Sequence, residues 1–296
     1  MQGVKRKTIW LAAPFLSLMG IFFILPLLLI VAYSFLQAGD NGGVLWHFSL
    51  EGYTQILYSR DLDDKLVFDS GYLEIFGRSV ALAALCTFIC LLVGFPMAYH
   101  MATRPPARRN LWILLVTIPF WTNLLIRTYA WMLILRSDGL LNRSLISLGI
   151  VDADRPLELL YNNSAIAIGL LYSYLPFMVL PIYSNLERMD WRLAEAASDL
   201  YATRWQTLRH VILPLARPGI VSGCVLVFTP SIGSYLTSNL LGGGKTLMLG
   251  NLIEQQFGFS SNWPFGSAIS VVLMAVVMIC LIIMARRGGR GLEDLL

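Results

Sequence analysis

The chain has 296 residues, of which 56% are hydrophobic and only 14% are charged, and its formal net charge is +4. A soluble globular domain carries about 25% charged residues, so this composition excludes an ordinary soluble domain and predicts a membrane protein. The modest positive charge does not by itself indicate nucleic-acid binding, because basic loops also set the orientation of membrane proteins.

Six apolar runs are each long enough to cross the hydrocarbon core, which takes roughly 20 helical residues. The runs are continuously apolar rather than alternating, which disfavours membrane strands. We therefore expect an all-α, polytopic membrane protein with six transmembrane helices. The first run is too long for the core of a signal peptide and lacks a clear cleavage site, so a retained anchor is expected. In chain order the runs are Ile9–Leu36, Ile75–His100, Leu111–Leu135, Ser164–Leu186, Pro218–Leu241 and Trp263–Ala285.

The segments outside the runs fall into two sets that differ in charge. One set holds 14 Lys and Arg residues, whereas the other holds 5 together with 11 acidic residues. The positive-inside rule then predicts that the basic set, including both termini, is cytoplasmic. The basic set is the N-terminus, the 101–110 loop, the 187–217 loop and the C-terminal tail, and the acidic set is the loops 37–73, 137–162 and 242–262.

Prolines inside the runs predict kinked helices, whereas the cysteines inside the runs predict ordinary packing. Each proline removes a backbone hydrogen bond and tends to kink a helix, which is tolerated where neighbouring helices or a wet cavity satisfy the freed carbonyl. Their number indicates a bundle that surrounds a path. The cysteines show no CxxC spacing and no His neighbours, so packing thiols are expected rather than a metal site. The prolines are Pro14, Pro26, Pro96, Pro119, Pro176, Pro181 and Pro230, and the cysteines are Cys86, Cys90, Cys224 and Cys280.

The 187–217 loop is predicted to begin with a short amphipathic helix. Asp190 can cap a helix that runs from Trp191 to Leu200. Four residues of this helix share a face by helical spacing, and the paired alanines make that face smooth enough for another surface to approach closely. These four are Leu193, Ala196, Ala197 and Leu200.

A second short helix is predicted to follow a turn near Tyr201 and Ala202. The stretch Thr203–Gln206 fits a capping box. Trp205, Leu208 and Ile212 then share a face, with Arg204, Arg209 and His210 off it, and Pro214 and Pro218 close the segment before the fifth run. Spacing alone leaves two interpretations open: a helix pair lying on lipid headgroups, or a docking element for a cytoplasmic partner.

This segment resembles the EAA loop of the permease subunits of ABC importers. That pattern is E-A-A, three residues, Gly, nine residues and an apolar residue-x-Leu-Pro ending, and every position matches except that Tyr201 replaces the glycine. In that family the loop inserts into a groove on the ATP-hydrolysing subunit. The resemblance therefore implies a coupling role for Glu195, Ala196, Ala197, Asp199, Leu200, Tyr201 and Pro214.

The departure at Tyr201 raises a question about local geometry. Glycine suits the left-handed position that ends many helices, and an L-residue there costs about 1–2 kcal/mol. Either the turn is built differently in this chain, or Tyr201 bears the strain while its ring packs on the partner.

Four stretches outside the loop resemble spermidine/putrescine permeases of the PotB/PotH type. The resemblance implies one permease domain over residues 1–296, with the type I ABC importer fold, in the inner (plasma) membrane. It also implies a second homologous permease subunit, two ATP-binding subunits and an external solute-binding protein. The chain has no GxxxxGK[ST] motif. We therefore expect no catalytic residue, cofactor or metal site in this chain, and we expect ATP and Mg to bind to the partner ATPase. The stretches are PFWTNLLIRTYAW (119–131), LLYSYLPFMVLPIY (170–183), LLGGGKTLMLGNLI (240–253) and NWPFGSA (262–268).

Several residues in or near the runs are candidates for the translocation path or its gate. Arg127, close to Asn123, is a charge within a span, and such charges usually face the bundle interior or water; the alternative is that it snorkels to the interface or pairs with a carbonyl. Aromatic faces can hold a cationic amine for about 0.5–2 kcal/mol, although aromatics also form interfacial belts. The resemblance adds weight to Tyr235 and Asn239. The remaining candidates are Trp121, Tyr172 and Tyr174.

Two other function classes fit the sequence less well. An intramembrane enzyme is disfavoured because His47, His100 and His210 lie where none can serve a buried serine, and the chain has no HExxH. A secondary transporter often shows inverted repeats or half-helices, and neither is evident. No span centre carries a carboxylate, so a polyamine would need its counter-charge from the second permease or the binding protein. The sequence therefore leaves open an ABC permease for another small organic solute as the alternative to a polyamine permease.

Overall fold

The structure, a computed structural model, describes residues 2–39, 42–60, 66–152, 155–244 and 246–293. The helices are α1 (Gln2–Tyr33), α2 (Glu51–Thr54), α3 (Gly71–Ala102), α4 (Pro106–Thr117), α5 (Leu124–Leu135), α6 (Leu140–Ser147), α7 (Asn163–Glu187), α8 (Arg192–Asp199), α9 (Arg204–Thr207), α10 (Leu213–Ile232), α11 (Tyr235–Gly242), α12 (Leu249–Phe257) and α13 (Trp263–Glu293). The strands are β1 (Leu36–Ala38), β2 (Val44–Phe48), β3 (Tyr58–Arg60) and β4 (Leu66–Phe68). Residue contacts divide the chain into unit 1 (Met1–Leu73 and Leu252–Val276) and unit 2 (Glu74–Asn251 and Val277–Leu296).

Four helical stretches in the described part of the chain are long and apolar enough to cross a membrane, and a bent pair of helices makes a fifth. In α1, the described apolar stretch is the shorter Ser17–Tyr33; the side chains of residues 2–13, where the first predicted run begins, lie outside the description. The helical membrane class is confirmed. The four stretches are Gly71–Ala102, Asn163–Glu187, Arg204–Ile232 and Trp263–Met284.

The core of unit 2 is the packing of α10 against α7. Gly219 and Gly223 are spaced as in the GxxxG pattern, which lets two membrane helices approach closely. A Cβ at Gly219 would lie 2.9 Å from the Pro181 carbonyl oxygen, and one at Gly223 would lie 2.8 Å from the Met178 sulfur. These two glycines therefore allow the backbones to meet. Cys86 and Cys90 of α3 are fully buried in the same core.

The third predicted span, Leu111–Leu135, is not one continuous helix. The chain bends by 90° between Pro106–Trp121 and Leu124–Ser147. Ile118–Trp121 tightens into a 3₁₀ turn that contains Pro119, and Thr122 is extended (φ −84°, ψ 144°). Asn123 then starts α5 afresh, because its side chain accepts a hydrogen bond from Leu125 N at 2.8 Å. The kink expected at Pro119 is here a full break between two helices, because the 3₁₀ turn and the Asn123 cap interrupt the apolar run.

The fifth predicted span, Pro218–Leu241, is wrong at both ends. The helical run begins at Arg204 and ends at Ile232, passing through Pro214 and Pro218. A π-helical turn at Leu208–Ile212 precedes Pro214. The helix therefore changes its hydrogen-bond pattern just before Pro214, which has no backbone N–H to donate. At the far end Gly233 and the extended Ser234 break the chain before α11.

Unit 1 adds two small antiparallel sheets to its helices. Leu36 of β1 lies opposite Phe48 of β2, and Tyr58 of β3 lies opposite Phe68 of β4. Phe48, Tyr58 and Phe68 are aromatic residues, which suit strands, and they lie in the 37–73 loop rather than in an apolar run. The all-α class therefore stands, with four short strands that the sequence analysis did not foresee. Residues 61–65, which hold the acidic stretch of this loop, lie outside the described residues.

Candidate functional site

The coupling segment (residues 187–217) begins where α7 ends, and an ion pair holds that end. Arg109 Nη1 lies 3.4 Å from Glu187 Oε1. The same guanidinium donates to the carbonyls of Arg104 at 2.6 Å and Ala102 at 2.9 Å. Arg109 thus links the turn between α3 and α4 directly to the first residue of the coupling segment.

Helix α8 begins at Arg192, one residue after the predicted Trp191, and an aromatic contact holds its start against α3. Asp190 Oδ1 accepts a hydrogen bond from Arg192 N at 3.1 Å. The Trp191 ring lies 6.1 Å from the Tyr99 ring, centroid to centroid. This contact fixes one side of α8 and leaves the other side free.

The free side of α8 carries most of the residues to which the resemblance assigns a coupling role. Leu193 and Ala196 are exposed, whereas Ala197 is half-buried. The apolar face is therefore open to contact rather than folded into this chain, and exposed acidic residues rim it. The exposed members of the predicted set on α8 and its end are Glu195, Ala196, Asp199, Leu200 and Tyr201.

Tyr201 occupies the left-handed conformation itself, with φ of 61°. The N–H of Ala202 donates to the Ala197 carbonyl and the N–H of Tyr201 donates to the Ser198 carbonyl, both at 3.0 Å. This is the Schellman arrangement normally completed by glycine, so Tyr201 bears the backbone strain. Its ring is 96% exposed and the neighbouring Leu200 is 82% exposed, so the strained turn displays two apolar side chains to the outside.

Helix α9 begins with the predicted capping box. Thr203 Oγ1 accepts from Gln206 N at 3.3 Å, and Gln206 Oε1 accepts from Thr203 N at 2.8 Å. Trp205, one residue into the helix, is 68% exposed. The first short helix and the turn at Tyr201 and Ala202 are confirmed. The second helix is not a separate short one, because the run that begins at Arg204 continues through Pro214 and Pro218 to Ile232.

A cleft of about 830 Å³ lies between the coupling segment and the end of α3. Trp205, Leu208 and Ile212 all line it, which confirms that they share a face. Arg204 lines it too, contrary to the prediction, because Arg204 and Leu208 are four residues apart and so lie on the same side of the helix. Glu195 reaches the same cleft from α8.

Arg127 lies in the first turn of α5, just after the break in the third span. Its Nη2 donates to the Thr122 carbonyl at a long 3.4 Å, and its Cζ lies 6.0 Å from the centroid of the Tyr172 ring. The Nε and Nη1 atoms are buried and have no hydrogen-bond partner among the described residues. Arg127 thus contacts a carbonyl, as one interpretation predicted, and also has buried guanidinium nitrogens, as the interpretation of an inward-facing charge predicted.

The remaining path candidates fall into two groups. Tyr172 packs edge-on against Trp131 at 5.6 Å, and the Tyr174 hydroxyl donates to the Pro230 carbonyl at 3.4 Å. In the part of the chain that the structure describes, no hydrogen bond or ring contact joins these tyrosines to the side chains of the other group. The other group is Trp121, which is 87% exposed, with Tyr235 and Asn239, which are exposed one turn apart on α11. Asn123 serves as the cap of α5.

Arg78 is a residue of interest that the sequence analysis passed over. It lies within the second predicted run, and its Nε and Nη2 donate to the Leu247 carbonyl at 3.2 and 2.8 Å. A charge inside an apolar span is itself a signal of function, and that signal was available in the sequence.

Comparison with known proteins places this geometry in a family. Residues 7–293 match the family model described as "Binding-protein-dependent transport system inner membrane component". The spermidine/putrescine permease PotB of Haemophilus influenzae is 43% identical over 262 residues, which is 87% of each chain. PotB of Escherichia coli K12 is 40% identical over 263 residues, covering 89% of this chain and 91% of that one.

The fold has counterparts among solved structures. A chain of a bacterial ABC transporter for the acidic polysaccharide alginate matches with a TM-score of 0.71 at 16% identity, over 98% of both chains. A second structure, of an alginate transporter in complex with its pentasaccharide-bound periplasmic protein, matches with a TM-score of 0.72 at 14% identity. The chain therefore belongs to the family of binding-protein-dependent transport system inner membrane components, the permease subunits of ABC importers.

Proposed function

We propose that this chain is a permease subunit of an ABC importer that takes up polyamines, spermidine or putrescine. The substrate class is carried by one observation, the 40–43% identity to PotB permeases over most of both chains. The likeness to alginate transporters, at 14–16% identity, supports the fold alone and gives no argument for a polysaccharide.

The exposed face of the coupling segment supports an ATP-driven mechanism. Ala196, Leu200 and Tyr201 are exposed in this chain, as a surface that docks into another subunit would be. In the proposed complex, this permease pairs with a second homologous permease and with two ATP-binding subunits. ATP and Mg bind in those partners, and ATP binding favours one conformation of the complex. The coupling segment transmits that preference to the spans, while an external solute-binding protein delivers the cargo.

The path candidates suit a cation only in part. The Tyr172 ring already lies near the Arg127 guanidinium, whose charge repels an amine, so Arg127 belongs to a gate rather than to a ligand set. Exposed Tyr235 offers a free aromatic face for a cationic amine, and Asn239 offers an amide oxygen one turn away. The second permease or the binding protein supplies the carboxylates that this chain lacks at its span centres.

The proposed orientation follows the charge of the loops. Both termini and the coupling segment are cytoplasmic in this proposal, since the basic loops alternate with acidic ones along the chain. The coupling segment then faces the compartment where ATP is available.

Reconstitution of the complete complex tests the function. Proteoliposomes with both permeases, the ATPase and the loaded binding protein should take up radiolabelled spermidine only when ATP is inside with the ATPase. Excess putrescine should compete, and excess unlabelled amino acid should not. Uptake that persists without the ATPase would identify a secondary transporter, and binding of another solute class by the receptor would overturn the substrate assignment.

A further inference from the structure

An irregular segment within unit 2 is held by side chains rather than by a regular ladder. Between α11 and α12, Thr246–Met248 is not helical. The Thr246 carbonyl accepts from Ser238 Oγ at 3.0 Å, and the N–H of Leu249 donates to Ser79 Oγ at 2.9 Å. Backbone polar groups that lack a regular ladder need other hydrogen-bond partners when buried, and here the buried hydroxyls of Ser79 and Ser238, on two other helices, supply two of them.

Arg78 makes the strongest of these contacts. Two of its nitrogens converge on the Leu247 carbonyl, at 3.2 and 2.8 Å. Hydrogen bonds from a charged donor are roughly twice as strong as neutral ones. Since Arg78 and Ser79 are adjacent on α3, that helix grips the segment at two points, Leu247 and Leu249.

The same segment holds the beginning of α11. Asn251 Nδ2 donates to the Tyr235 carbonyl at 3.0 Å, and its Oδ1 accepts from Met248 N at 3.3 Å. At Gly250 an added Cβ would lie only 2.9 Å from Tyr235 N, so the two stretches of backbone are in close contact. Through Ser238 and Asn251, the segment thus reaches α11 near its middle and at its first residue.

We propose that Arg78 is a positioning residue for the translocation path, acting through the 246–251 segment to set the placement of Tyr235 and Asn239. Its guanidinium touches no candidate path residue directly; it fixes the segment, and the segment fixes α11. Loss of the guanidinium frees the Leu247 carbonyl and loosens α11, while α7, α10 and the coupling segment keep their own contacts. This role in transport rests on the proposed function.

The first test is hydrogen exchange of the purified permease complex in lipid nanodiscs, which requires no transport activity. Arg78→Gln should speed exchange in peptides covering 235–251 by roughly tenfold, the factor expected for loss of one charge-assisted hydrogen bond. Exchange in peptides of α7 and α10 should stay unchanged. Arg78→Lys keeps the positive charge but presents one nitrogen instead of two to the Leu247 carbonyl, so its exchange rate should fall between. Arg143→Gln is the matched control, since Arg143 is exposed on α6 and its side chain makes no hydrogen bond to the described residues.

The second test is spermidine uptake by the reconstituted complex. Arg78→Gln should raise KM severalfold while ATP hydrolysis at saturation stays near the wild-type rate, with Arg78→Lys restoring part of the KM. Unchanged exchange over 235–251, or equal loosening of α7 and α10, would overturn the positioning role, as would a fall in ATP hydrolysis with KM unchanged. If the wild-type complex moves no spermidine, the proposed function fails, and the exchange result still decides whether Arg78 holds α11.

Discussion

Tyr201 combines a conformation that favours glycine with a ring that glycine lacks. Its backbone sits at φ 61° and its side chain is almost wholly exposed. A strained residue persists only where its surroundings hold it, and here the bonds from Tyr201 N–H and Ala202 N–H hold the turn. The EAA spacing identified this position, but the sequence could not decide between a rebuilt turn and a strained tyrosine, because side-chain identity does not report φ.

Tyr201→Gly should separate stability from function. Removing the left-handed strain should stabilise the end of α8 by up to about 1–2 kcal/mol, while the exposed ring is lost from the coupling face. We expect a slightly higher melting temperature of the purified subunit and a severalfold lower rate of ATP-driven uptake. Tyr201→Asn, which tolerates the conformation without supplying a ring, is the matched control and should also transport poorly. Full uptake in both variants would show that the ring makes no contact with the ATPase.

Among the helices, the starts of two in the coupling segment were predicted to within one residue, whereas the break in the third span and the ends of the fifth were not predicted. The starts of α8 and α9 depend on side-chain caps at Asp190 and Thr203, which are local signals that a sequence displays. The break in the third span and the ends of the fifth depend on balances that apolarity does not report. At Thr122–Asn123 a cap competes with continuation of the helix. Before Pro214 a π-helical turn changes the hydrogen bonding and the helix continues.

The exposed face of α8 makes a prediction at the same scale. Glu195→Lys combined with Ala196→Trp should abolish uptake, because a reversed charge and a large side chain block close approach of another surface. Membrane insertion should be unaffected, since both positions are exposed in the folded chain. Uptake and the amount of inserted protein, measured on the same membranes, check this. Normal uptake would contradict docking and favour a helix pair lying on lipid headgroups.

For the molecule as a whole, composition predicted a helical membrane protein, and the charges of the loops led to the proposed orientation. They could not reveal the ties made by Arg78 and Arg109, because the partners of these arginines are 169 and 78 residues away in sequence. A single chain without aligned relatives gives no signal for such pairings. The neighbours of most path candidates were equally hidden in the sequence. Tyr172 and Tyr174 meet theirs only in the packed structure, while Tyr235 and Asn239 stay exposed on α11.

Cysteine labelling checks the proposed orientation. In a cysteine-free background, Asp63→Cys should react with a membrane-impermeant maleimide added to intact cells, and Arg108→Cys should react only after the membrane is opened. Residue 63 lies outside the described residues, whereas Arg108 is exposed in the first turns of α4. The reverse labelling pattern would place the coupling segment outside and refute an ATP-driven role for it.

The π-helical turn at Leu208–Ile212 affects the rotation of the coupling segment about the helix axis relative to α10. Leu213 N–H bonds to the Leu208 carbonyl five residues back, so the helix holds one residue more than an α-helix of that height would. Each residue of an α-helix advances by about 100° around the axis, so the same residues wound as an ordinary α-helix would turn Trp205 by roughly that angle relative to α10. The wider turn absorbs the extra residue instead. The direction in which Trp205 faces therefore depends on the π-helical turn being kept, as well as on the side chains that the coupling segment displays.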